Sequence, residues 1–161
     1  MPQLSIVVPT YNEAGNVVEL RDRVAAALPG LDWEMIYVDD DSPDGTSAAV
    51  RELAQRDSRV RCIQRIGRRG LSSACIEGML ASSAPIVAVI DADLQHDERL
   101  LPAMFDALRS DDIDVVVGSR YTEGGSMEGW DRSRAATSRF ATRLSRLVLK
   151  ADLQDTMSGF F

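Results

Sequence analysis

Three clusters of acidic and polar residues, each just after an apolar run, carry the chemistry that this sequence can do. They are Pro9, Tyr11 and Glu13 in P-T-Y-N-E, Asp39, Asp40, Asp41 and Asp44 in D-D-D-S-P-D-G-T, and Asp91, Asp93 and Gln95 in D-A-D-L-Q-H. Asp91 and Asp93 form a D-x-D pair, and two carboxylates held so close repel each other unless a cation or a buried proton relieves the charge. A hard divalent ion with oxygen ligands would do so and leave positions for substrate phosphates, with Gln95 lending a neutral carbonyl. The competing assignment is a set of solvated loop acids and helix caps, Asp97 above all. Asp39 could accept hydrogen bonds from a base edge or ribose hydroxyls, whereas Asp44 and part of Ser42 read as a turn and helix cap.

Such acids act together only if the fold gathers them. Residues 4–8 read L-S-I-V-V, a buried strand closed by Pro9, and strands are also expected at 33–38, 60–64, 86–90 and 113–118. Helical spacing at 14–28, 46–56, 71–82 and 98–108 alternates with them, the rhythm of an open, mostly parallel α/β sheet covered by helices on both faces. The run at 86–90 is the most apolar and is expected to be central. Ligands of such sheets gather beyond the carboxyl ends of the strands, where all three acidic clusters fall. Residues 121–131 form a loop on that side, and 132–151 a helix with Phe140, Leu144, Leu147 and Ala151 on one stripe and Arg139, Arg143, Arg146 and Lys150 on a neighbouring one. That basic stripe suits either peripheral contact with an anionic membrane or a plain solvated face. Phe160 and Phe161 have no following element to cover them, so the chain reads as truncated at its C-terminal end.

Length and composition narrow the classes. At 161 residues with 45% hydrophobic and 27% charged residues, the chain can fold around one core, which excludes low-complexity and wholly disordered readings. A net charge of -7 argues against nucleic acid as the main partner. Cys62 and Cys75 are too isolated for a disulfide framework and fit a reducing, cytoplasmic setting, as core residues. Neither G-x-G-x-x-G nor G-x-x-x-x-G-K-[ST] follows the first strand, so dinucleotide and P-loop readings fall away.

Together, V-V-P-T-Y-N-E at 7–13, V-D-D-D-S-P-D-G-T at 38–46, D-A-D-L-Q-H at 91–96, G-S-R at 118–120 and D-T-M-S-G-F at 155–160 resemble family 2 glycosyltransferases of the GT-A fold, most of all the dolichol-phosphate (polyprenyl-phosphate) mannose synthases. The resemblance covers nearly all of the chain. It implies that residues 1–161 are the N-terminal and central part of a single GT-A domain that transfers mannose, with inversion, from a nucleoside diphosphate sugar, GDP-mannose first, to dolichyl or polyprenyl phosphate. By motif, Pro9, Tyr11 and Glu13 would line the nucleoside pocket with Asp39 near the base and Asp91 beside ribose and diphosphate. Asp93, Gln95 and Asp91 would bind Mg2+ or Mn2+.

The resemblance further implies that Arg120 grips the acceptor phosphate with Arg134 and Ser138, and that Asp155 is the base or sugar-orienting carboxylate, if one exists. Each has a bland alternative: a surface or salt-bridged arginine, a serine bonded back to its own helix, a loop acid. His96 is expected behind the metal site rather than in it. Transfer of glucose or N-acetylglucosamine from a UDP-sugar to a polyprenyl phosphate is the nearest competitor, and a non-catalytic nucleotide-sugar-binding fragment is the competitor from another class. The relatives continue well beyond Asp155, so full turnover is expected to need further sequence.

Overall fold

A computed structural model of the chain describes residues 1–110, 113–118 and 159–161. Four parallel strands, β1 (Leu4–Thr10), β2 (Trp33–Asp39), β3 (Val60–Gln64) and β4 (Ile86–Val89), stand in the order β3-β2-β1-β4. Helices α1 (Val17–Ala27), α2 (Thr46–Arg56) and α3 (Leu71–Leu80) connect them, and a 3-10 turn (Glu98–Leu100) leads into α4 (Leu101–Ala107). The α/β class, the parallel sheet and the helical cover on both faces agree with the expectation.

Alternation along the strands splits the core in two. Ile6 and Val8 of β1 face one side with Met35 and Tyr37 of β2, against Leu20 and Val24 of α1 and Leu101 and Phe105 beyond β4. Val7, Ile36, Val38 and Val89 face the other side and meet Ala74 and Cys75 of α3. All seven residues of β1 and all seven of β2 are buried, which is why these segments read as continuous apolar runs. Gly78 lets α3 approach β1 closely, since a Cβ there would stand 2.3 Å from a Val7 methyl. Burial pushes both cysteine thiols above their ordinary range, in keeping with a core role.

Chain order decides where a site can form. The strands run from β1 out to β3, then the chain returns to lay β4 on the other side of β1. Strand order therefore reverses between β1 and β4, and it is at such a switch point, beyond the carboxyl ends of the strands, that open α/β sheets place their ligand crevice.

Several local expectations change. Among the described residues β1 and β2 are each paired with parallel strands on both sides, and β4 has one parallel neighbour, β1. The outer edge of β4 is covered by residues 159–161 running antiparallel, with Val89 N–H donating to Phe161 O at 2.6 Å and Phe161 N–H returning to Val89 O at 3.1 Å. Partners on both sides account for its apolar sequence and agree with an inner position. Phe160 is 1% exposed in the core, so the terminal aromatics have a cover in this fold. No strand forms at 113–118, where Ile113 and Val115 are exposed, although Gly118 N–H donates to Phe160 O at 2.9 Å. The expected helix at 14–28 starts at Val17, because Asn12 turns left-handed at φ 62° and residues 12–16 serve the site instead. The loop at 121–131 and the helix at 132–151 lie outside the described residues.

Candidate functional site

The site is built on the β1 and β2 loops, which are laced together by the D-S-P-D-G-T segment. Asn12 N–H donates to Ser42 Oγ at 2.9 Å, Glu13 N–H to Thr46 Oγ1 at 2.9 Å and Ala14 N–H to Asp44 Oδ2 at 3.1 Å. Asp44 also accepts from Thr46 N–H and Oγ–H at the start of α2. Asp44 is exposed, and although the desolvation it does suffer works the other way, these donors hold its pKa below the usual carboxylate value. The turn-and-cap reading of Asp44 therefore holds, and the cap also fixes the loop that carries Glu13.

The other acids of that run have inward partners. Asp39 is 0% exposed and accepts from Ser42 N–H and Oγ–H and from Ser47 Oγ–H. Asp40 forms a buried ion pair with Arg65 and accepts from Gly70 N–H at 2.7 Å. Asp41 accepts from the Gln64 amide at 3.0 Å and from Gly67 N–H at 3.3 Å. The run of three aspartates thus shapes the β2 and β3 loops, and the structure sets Asp39 beneath the rim rather than among the open acids of β1 and β4.

Across the crevice, Asp93 is exposed and its Oδ1 accepts the Gln95 N–H at 3.1 Å, an Asx turn that Leu94 completes at φ 61°. Asp91 is half-buried, with His96 Nε2 3.5 Å from its Oδ2. The His96 ring lies against Phe160 at 5.5 Å between centroids, behind Asp91 as the sequence suggests. Gly159 makes room for that carboxylate: a Cβ there would stand 1.8 Å from Asp91 Oδ2, and Asp91 N–H donates to Gly159 O at 3.2 Å.

Electrostatics ties the two sides together. The Glu13 carboxyl is pushed above its ordinary 4.5, first by burial, against the lowering effect of the Asn16 amide that donates to it, and further by the negative charges of Asp93, Asp44 and Asp91. Among the described residues no lysine or arginine pairs with Glu13, Asp91 or Asp93, and no three His, Cys, Asp or Glu side chains form a closed metal-ligating group. Two carboxylates and an amide carbonyl are hard oxygen donors, and the uncompensated charge fits a divalent cation that keeps positions open for a diphosphate.

Of the residues expected at the site, Tyr11, Glu13, Asp91, Asp93 and Gln95 lie on the two lips of the crevice, and Pro9 is buried at the end of β1. Arg120, Arg134, Ser138 and Asp155 lie outside the described residues. Sequence reasoning missed Arg65, Arg69 and Gly159. Arg69 lies with its guanidinium carbon 4.4 Å from the Tyr11 ring centroid.

Comparison with known proteins adds sequence and fold. The family model for glycosyl transferase family 2 matches residues 5–161. The chain is 40% identical over 161 residues to a dolichol-phosphate mannosyltransferase of Pyrococcus furiosus, covering 99% of this chain and 45% of that protein. It is 36% identical to the dolichol-phosphate mannosyltransferase of Saccharomyces cerevisiae, covering 99% and 60%, and 34% identical to the polyprenol monophosphomannose synthase of Mycolicibacterium smegmatis, covering 96% and 59%. The chain thus spans about half the length of these curated relatives. Among solved structures, a mannosyltransferase of Pyrobaculum calidifontis in complex with GDP-Man and Mn2+ superposes with a TM-score of 0.60 at 29% identity, covering 68% of this chain and 33% of that one. The fold also matches that of glucosyl-3-phosphoglycerate synthase from Mycobacterium tuberculosis, at a TM-score of 0.70 and 22% identity over 99% of this chain and 55% of that one.

Proposed function

This chain belongs to glycosyl transferase family 2, and from that premise we propose that its protein transfers mannose from GDP-mannose to a dolichyl or polyprenyl phosphate, with inversion at the anomeric carbon. The observation that carries this reading is the electrostatic coupling of Glu13 to Asp91 and Asp93 across the carboxyl ends of β1 and β4, where among the described residues no arginine or lysine pairs with them. The mannosyltransferase relatives at 34–40% identity support the choice of sugar and acceptor.

In this reading Pro9 and Tyr11 wall the nucleoside end, Asp39 steadies the base-side rim through Ser42 and Ser47, and Asp91 faces ribose and diphosphate. Asp93, Gln95 and Asp91 would hold Mg2+ or Mn2+, which when bound supplies positive charge to stabilise the departing nucleoside diphosphate. Arg120 and Arg134, with the Ser138 hydroxyl, grip the acceptor phosphate, for which guanidinium forks are suited. A phosphate oxygen of the acceptor attacks the anomeric carbon as the bond from that carbon to the diphosphate breaks, so GDP leaves with the electron pair. That oxygen is already anionic near neutral pH, so no strong base is required, and Asp155 serves to orient the sugar. A lipid acceptor places the reaction at the cytoplasmic face of a membrane, with the basic stripe of 132–151 as the contact. Among the described residues no helix is long and apolar enough to cross a membrane.

The test incubates the full-length protein with a panel of sugar nucleotides, Mg2+ or Mn2+, and a short polyprenyl phosphate, and weighs the lipid product. Mannosyl lipid with release of GDP is expected. Transfer from UDP-glucose or UDP-N-acetylglucosamine alone, or no product at all, would overturn the reading.

A further inference from the structure

Asn16 stands at the start of α1, and with Glu19 three residues on it spells N-x-x-E, a sequence close to the capping-box signature. The box does not form. The Asn16 side chain makes no cap bond to the helix, and its amide donates instead to Glu13 Oε2 at 2.6 Å, while Glu19 pairs with Arg23 one turn along. An asparagine at this position ordinarily satisfies one of the free N–H groups of the first turn, so a cap given up points to another task.

The Glu13 backbone is held from two sides. Its N–H donates to Thr46 Oγ1 at 2.9 Å and its carbonyl accepts from Asn16 N–H at 2.9 Å, which closes a turn between β1 and α1. The carboxylate is half-buried, and among the described residues the Asn16 amide is its only donor and no lysine or arginine pairs with it. The negative charges that act on it are first that of Asp93, then those of Asp44 and Asp91. Asp44 is already committed to Ala14 N–H and Thr46 N–H. Like charges and partial burial both favour a Glu13 side chain turned out to water, and the amide bond opposes that. We infer that Asn16 is a positioning residue: its amide fixes the Glu13 carboxylate within reach of Asp91 and Asp93, so that three negative charges instead of two act on the cation held there. This rests on the cation reading above and adds a residue that itself touches neither metal nor sugar nucleotide.

The experiment titrates Mn2+ by calorimetry, with GDP present, into the full-length protein and its Asn16→Ser, Glu13→Gln and doubly substituted variants, beside a thermal melt and metal-free GDP binding for each. Serine caps a helix as well as asparagine does, and its shorter side chain withdraws the amide from Glu13. Asn16→Ser should therefore melt close to the parent and bind Mn2+ about tenfold more weakly, with metal-free GDP affinity changed by less than about twofold. Glu13→Gln keeps an acceptor for the amide and removes the charge, and should show a similar loss. In that background Asn16→Ser should add less than about twofold, because its effect runs through the Glu13 charge. Unchanged Mn2+ affinity in either single variant would overturn the inference. So would a loss undiminished in the double variant, which would make Asn16 act by another route, an equal loss of metal-free GDP affinity, which would place the pair on the nucleotide, or an Asn16→Ser protein melting far below the parent, which would make the residue an ordinary cap. A parent that binds no Mn2+ would instead overturn the cation reading on which the inference stands.

Discussion

Replacing Gly159 with alanine should disable the site while leaving the fold largely in place. The added Cβ would stand 1.8 Å from Asp91 Oδ2, 2.4 Å from its Cγ and 2.8 Å from its Oδ1. An ordinary contact needs roughly 3.4 Å, so the carboxylate must move by about 1.5 Å or residues 159–161 must peel away from β4. Peeling would break the 2.6 and 3.1 Å bonds between Val89 and Phe161 and unseat Phe160 from the core, so displacement of the carboxylate is the smaller change. A shift of that size at a reacting centre costs on the order of 10²-fold in turnover, while the overpacking costs about 1–3 kcal/mol of stability. The assay is mannosyl-lipid formation by the full-length protein, run beside a thermal melt and a Mn2+ titration. Gly30→Ala is the control: nothing lies within 4 Å of its Cβ, so although its φ of 81° adds a backbone strain that Gly159 does not have, it should leave turnover unchanged. Unaltered turnover and Mn2+ affinity in Gly159→Ala would refute the argument that this glycine seats Asp91.

Asp93→Asn should abolish turnover with a melting temperature close to that of the parent, since the side chain is exposed and among the described residues bonds only to Gln95 N–H; retained activity would remove Asp93 from the chemistry. Arg65→Met leaves Asp40 buried without its cation and should cost about 3–5 kcal/mol in urea unfolding; a loss below about 1 kcal/mol would mean that the pair is not what holds the loop. Glu34 gives a pH signature. Burial would raise its pKa, but donors from Ser5 and Ser83 and the charge of Arg61 bring it below its ordinary 4.5. A depressed carboxyl contributes stability above its unfolded value that is lost as pH falls through the folded one, so Glu34→Gln should flatten the decline between about pH 5 and pH 3. A parallel decline in parent and variant would contradict this.

The parts of the fold legible in the sequence were those set by local pattern. The runs at 4–8 and 33–38 became β1 and β2, buried on both faces and therefore rich in apolar residues, and the shorter 60–64 run became the half-exposed β3. The apolar 86–90 run signalled a strand covered on both sides, but its second partner lies some seventy residues later in the chain, a pairing that no window around it contains. The acids at the strand ends were visible, but their division of labour was not. Asp39, Asp40 and Asp41 look alike in sequence and differ by which of Ser42, Ser47, Arg65, Gln64 and Gly67 reaches each one. Gly159 and Arg69 were missed because their meaning lies in a contact across the fold, with Asp91 and with Tyr11. Two consecutive arginines beside Gly70 were the only local hint of the latter.

The central claim is that the lips of the β1–β4 crevice hold one divalent cation together with a sugar nucleotide. A crystal structure of the full-length protein soaked with GDP-mannose and Mn2+ tests it most directly, because manganese can be located by its anomalous signal. The account predicts one peak in direct contact with the Asp93 carboxylate and the diphosphate, with Asp91 and Gln95 beside it. Manganese bound elsewhere, or GDP-mannose seated away from Tyr11 and Asp91, would contradict it.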